Sequence, residues 1–248
     1  MKFNFKILIM ENSFTLLDIA YDDIKASKLL YKNDLLPQSI FYLQQAVEKS
    51  IKQLGLYNGV IKRSDLQKEI GHKADKIFKK LAFATKHIIN NNEQDIINDY
   101  NKLSQLIKNN DLEEFKEVIK KALDAYHRIE ISQELVELII CEIIKKENSD
   151  FYKKVKKNQN LEHQYNRMKE RFKKYFPDYI KSVMILFSIN LIVSDYVSTV
   201  RYPVGDKFEN PALFFDPNHP LVQLIPIYIK NCEFALKGIS DFQLINNY

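Results

Sequence analysis

The chain has 248 residues, 46% of them hydrophobic, with a formal net charge of +5. That is enough apolar material for a sizeable core and excludes a disordered tail. Only 5 glycines and 7 prolines occur, and Pro203, Pro211, Pro217, Pro220 and Pro226 crowd into one region near the C-terminus, so long uninterrupted helices are expected elsewhere.

At the N-terminus "MKFNFKILIM" carries lysines at positions 2 and 6, and Glu11 follows at once; the apolar core is too short for a signal peptide. From Phe14, apolar residues at Leu17, Ala20, Ile24 and Tyr31 recur at helical spacing, with Asp18 and Asp22 opposite and Asp23 at the flank. A first helix is expected over residues 14–33. Pro37 then opens a second helix whose stripe is Ile40, Leu43, Val47, Ile51 and Leu54, ending before Gly55. A loop with Gly59 and Gly71 leads to a third helix, "HKADKIFKKLAFATKHI", with Ile77, Leu81, Ala84 and Ile88 on one face.

Further helices are expected in "EQDIINDYNKLSQLI" and in "LEEFKEVIKKALDAYHRI", where Asp111 and Glu114 have capping-box spacing, and again behind Ser132. Phe151, Val155, Tyr165, Met168, Phe172 and Phe176 mark one long or broken helix that Pro177 should stop. The segment after it is apolar nearly all round and reads as the most central helix of the bundle. Its longest apolar run, "VMILFSINLIV" at 183–193, is about half of the ~20 residues that a bilayer span needs, so no membrane segment is expected. After a loop over 202–219, a last helix bends at Pro226 and ends near Gly238. Without strand alternation or a long repeat, the fold class is all-α, a helical bundle.

The cysteines, Cys141 and Cys232, lie in separate apolar stretches, which points to reduced thiols and a cytoplasmic protein. His87, His127, His163 and His219 are scattered without metal-ligand spacing, and no phosphate-cradling glycine loop occurs, so neither metal nor cofactor is expected. Asp18, Asp22 and Asp23 read either as a metal site or as a solvated helix face. Between 145 and 174 stand eleven cations against four acids. Lys153, Lys154, Lys156, Lys157, Arg167 and Arg171 form a basic face that would track a phosphate backbone, or simply a soluble basic surface.

In helix two, "FYLQQAVEKSIKQLG" sets Gln44, Gln45, Glu48, Lys49 and Lys52 around the apolar stripe. By spacing alone, Glu48 and Lys52 form an i,i+4 pair on a solvated face, worth about 0.2–0.5 kcal/mol. The residue order, a glutamine pair followed by alanine and a Glu-Lys pair, strongly resembles the second helix of the HEPN (higher eukaryotes and prokaryotes nucleotide-binding) family. "EIGHKADKIFKKL" looks like that family's third-helix entry, and "RYP" at 201–203 like the tripeptide before its last helix.

The resemblance implies one domain over 1–248, with a HEPN-like core at about 14–82 and 180–240 and an elongated helical insertion at about 90–179. It further implies a polar groove holding nucleotide or RNA, with Arg201, Tyr202, Asp206, Glu48 and Lys49 around it. There Arg201 would grip a phosphate with its planar fork of donors and Tyr202 would stack on a base. On the residues alone, Arg201 equally reads as a cap for the last carbonyls of its helix, or as the partner of Asp195 or Asp206. Ribonuclease members of the family carry an arginine and a histidine about four to six residues apart, close enough to share a helical face. No such pair exists here, and Arg201 with a distant histidine such as His72 is the catalytic candidate; His72 otherwise caps or packs its helix. The partners implied are nucleotide or RNA, a minimal nucleotidyltransferase protein within a prokaryotic toxin–antitoxin or defence system, and a second copy of the chain. A non-catalytic helical protein-interaction module is the remaining reading.

Overall fold

The computed structural model describes residues 15–66, 77, 112–134, 136–137, 159–196 and 211–244, and every regular element among them is helical. Helix α1, Leu16–Lys32, starts at a capping box: the Thr15 hydroxyl accepts from the Asp18 amide while the Asp18 carboxylate accepts from the Thr15 amide at 2.6 Å. The link to α2, Leu36–Tyr57, turns through Asp34 in the left-handed region at φ 57°. Pro37 sits in the first turn of α2, where its missing N–H costs nothing.

The two helices approach closely because serines face each other. Ser27 and Ser39 each donate a 2.9 Å bond to the other's backbone carbonyl, so both buried hydroxyls are satisfied. Ile40, Leu43, Val47, Ile51 and Leu54 are fully buried, as the stripe predicts. Gly55 does not end the helix. It lets Ile61 and Ile77 close on α2, since a Cβ there would stand 2.8 Å from Ile77 Cγ2.

Helix α3 is Leu112–Arg128, and α4 is Gln159–Val193, followed by a 3-10 turn at Ser194–Tyr196. Pro177 lies inside α4 instead of stopping it. A proline there removes one backbone bond, costing about 3 kcal/mol. Burial of the flanking aromatics outweighs that loss: Phe172 stacks on Phe176 at 4.6 Å, and Tyr179 on Phe242 at 4.3 Å. Tyr165–Val193 is long and apolar enough by composition to cross a membrane, with half of its apolar window buried inside the bundle.

The region expected as a loop contains a short helix, α5 at Pro211–Phe214, and α6 runs over Pro220–Leu244, past Gly238. Gly238 is a contact glycine rather than a cap: a Cβ there would stand 2.3 Å from Ser182 Oγ and 3.0 Å from the Asp178 carbonyl oxygen of α4.

The contacts fix the arrangement. Tyr179–Phe242 at one end and Tyr196–His219 at the other make α4 and α6 antiparallel. Lys28 bonds Glu233 at 2.9 Å across α1 and α6, and Asn58 at the end of α2 donates to Tyr179 of α4 at 2.7 Å. Helices α1, α2, α4 and α6 therefore form a four-helix bundle. Helix α3 packs on α4 and α6 through Phe115, Ile119 and Leu123, with Ser188 donating to the Tyr126 hydroxyl. The most enclosed helix is α2, where no residue from Leu43 to Tyr57 is exposed; in the second half of α4, Val183, Met184, Phe187 and Leu191 stay half-exposed.

Candidate functional site

Two features of the bundle bear on function: a polar line along α2, and the place where the 197–210 segment leaves and rejoins the helices.

Along α2, the Gln45 amide donates to Gln44 Oε1 at 2.6 Å and the Gln44 amide to Glu48 Oε2 at 2.9 Å, while Lys52 Nζ bonds Glu48 Oε1 at 2.6 Å. Glu48 is 3% exposed, so its pair with Lys52 does not lie on a solvated face as spacing suggested. The spacing set the pair; the helices packed around α2 removed the water. A buried carboxylate needs both the opposite charge and the amide donor to remain ionised.

One turn away, Lys49 Nζ lies 2.5 Å from Asp23 Oδ2 of α1. Burial raises the Asp23 carboxyl above its ordinary range, and Lys49 only partly offsets this. The three aspartates of α1 thus have separate roles: Asp18 caps, Asp22 pairs with Lys25 at 3.0 Å, and Asp23 is buried against Lys49.

At the end of the bundle shared by the α1–α2 link, Tyr196 follows α4 and His219 precedes α6. Tyr196 meets His219 at 5.7 Å and Phe215 at 5.9 Å, and His219 meets Phe215 at 4.9 Å and Phe214 at 5.2 Å. These rings pin together the two ends of the segment that carries Arg201. His219 is also the N-cap of α6: its Nδ1 accepts from the Leu221 amide at 3.2 Å. Asp216 in turn accepts from the amides of Asn218 and His219.

Burial holds the His219 imidazole below its ordinary pKa of 6.5, against the opposing pull of Asp216. The unfolded chain therefore takes up this proton first. The stability due to neutral His219 is complete above pH about 6.5 and lost as pH falls through the lower folded value. Lowering pH from about 7.5 to about 5 is expected to lower the urea midpoint of the wild type. His219→Asn, which keeps an acceptor at the cap and removes the titrating ring, should flatten that fall; an equal fall in both proteins would contradict it.

Of the residues that the sequence singled out, Glu48 and Lys49 are buried or half-buried in α2 and already paired. Arg167 and Arg171 are exposed on the first half of α4. Lys169 and Lys173, on the same helix, reach Glu137 instead, at 3.9 and 2.5 Å. Arg201, Tyr202, Asp206, His72, Lys153, Lys154, Lys156 and Lys157 lie outside the described residues, as does Asp111. The His219 ring cluster was missed in the sequence. Its signal was there, two phenylalanines and a histidine between prolines in "NPALFFDPNHP", but it read as a loop. His127 makes a packing contact: its Nε2 lies 2.8 Å from Asn231 Oδ1 and its ring meets Phe234.

Compared with known proteins, the family model described as the HEPN domain matches residues 15–143, from the start of α1 through α3. No curated protein and no solved structure matches the chain.

Proposed function

The chain belongs to the HEPN domain family, and from that premise we propose that it is a nucleotide- or RNA-binding protein in which Arg201 is the principal phosphate contact. The observation that carries this reading is the joining of Tyr196 to His219, which holds both ends of the Arg201-bearing segment at one end of the bundle. A guanidinium presents several donors in one plane and grips two phosphate oxygens at once. Arg201 is the better assignment for this contact than the lysines of α2, because Lys49 and Lys52 are spent on Asp23 and Glu48. Tyr202, Asp206, Glu48 and Lys49 are assigned to the same ligand as Arg201. Arg167 and Arg171 extend the cationic surface along α4.

The cellular setting belongs to the same proposal: a cytoplasmic homodimer in a prokaryotic toxin–antitoxin or defence system, beside a minimal nucleotidyltransferase. A second reading, metal-independent cleavage with Arg201 and a distant histidine such as His72, is separated by its product. Incubation of the purified protein with a labelled mixed RNA pool is expected to give a salt-sensitive complex and no cleavage. Cleavage that disappears in folded Arg201→Ala would establish the ribonuclease instead. Absence of both binding and cleavage would leave a protein-interaction module.

A further inference from the structure

The ring cluster at the foot of the 197–210 segment has more polar chemistry than a packing core requires. Phe215 is fully buried, but Phe214 is 37% exposed. Phe214 and Phe215 meet edge to face at 4.8 Å, so the exposed ring is braced by the buried one. His219 accepts from the Leu221 amide at Nδ1, so its proton sits on Nε2, and that N–H has no partner among the described residues.

We propose that Tyr196, Phe214, Phe215 and His219 form a nucleobase subsite, in which an unpaired base stacks on Phe214 and takes a hydrogen bond from the Nε2–H of His219. Stacking on an exposed aromatic face tolerates any base, while the imidazole donor favours one that offers an acceptor on its edge. The inference rests on the nucleotide- or RNA-binding reading and adds to it the base contact that a phosphate-gripping arginine does not supply. The same chemistry serves a base from RNA or from a free nucleotide.

The test is fluorescence anisotropy with a labelled single-stranded RNA, the same backbone without bases, and a mononucleotide as competitor. Phe214→Leu, at an exposed position, keeps the apolar bulk and removes the π-face. It is expected to weaken binding of the base-bearing RNA about tenfold, leaving the abasic strand unaffected. Phe214→Tyr should restore binding, and unchanged urea midpoints confirm that both variants fold. Competition by the mononucleotide identifies a free nucleotide as ligand; binding of the oligonucleotide alone identifies RNA. If the wild type binds base-bearing and abasic strands equally, and Phe214→Leu does the same, the subsite is overturned and phosphate binding stands. If the wild type binds neither strand nor the mononucleotide, both fail.

Discussion

Lys52→Met is expected to destabilise the protein by about 3 kcal/mol, the usual cost of removing one partner from a buried ion pair. Lys52 Nζ is 2.6 Å from Glu48 Oε1, and the side chains are 15% and 4% exposed, so little water is available to solvate the abandoned carboxylate. The Gln44 amide, 2.9 Å from the other oxygen, supplies a dipole but no compensating charge. Glu48→Gln placed on top of Lys52→Met removes the carboxylate charge and is expected to recover part of the loss. Urea unfolding of the four proteins in a double-mutant cycle gives the coupling directly. A Lys52→Met midpoint within error of the wild type would show that the pair is solvated after all.

Gly238→Ala is the second large effect. An alanine in mid-helix normally stabilises by about 1 kcal/mol relative to glycine. Here the added Cβ would stand 2.3 Å from Ser182 Oγ and 3.0 Å from the Asp178 carbonyl oxygen. Ser182 already bonds that carbonyl at 2.6 Å, so moving the hydroxyl aside breaks a buried bond, and the backbone oxygen cannot move without shifting α4. Overpacking of this kind costs about 1–3 kcal/mol, and set against the propensity gain of about 1 kcal/mol a net loss of about 1 kcal/mol is expected. Adding Ser182→Ala removes the nearer obstacle and should recover part of it. A Gly238→Ala protein as stable as the wild type would mean that α4 and α6 are free to separate at this point.

The first two helices are legible in the sequence, whereas Pro177 and Gly238 are not. The stripe of α2 and the first helix were readable because each apolar residue recurs at the helical period, and the Thr15–Asp18 spacing carries its own capping signal. Pro177 and Gly238 were read by their local rule, as a stop and a cap, and both failed because tertiary contacts overrode it. Aromatic stacking on both sides of Pro177 outweighs one lost backbone bond, and the glycine serves a neighbouring helix rather than its own end. Glu48 and Lys52 were paired correctly, yet spacing contains no information about what covers a helix face. The site was legible only as residue types in a family-like order. That Lys49 is committed to Asp23, twenty-six residues earlier, depends on how α1 docks against α2 and leaves no local trace.

The proposed binding of nucleic acid or nucleotide through Arg201 is read out by equilibrium binding of a labelled RNA pool across a salt series. Wild type is expected to bind at low salt with an affinity that falls linearly on a log–log plot, with a slope of about −0.7 for each phosphate neutralised. Folded Arg201→Ala should bind about tenfold more weakly with a shallower slope. Equal affinity and equal slope for the two proteins would rule out Arg201 as a phosphate contact, and no binding by the wild type at low salt would rule out nucleic-acid binding itself.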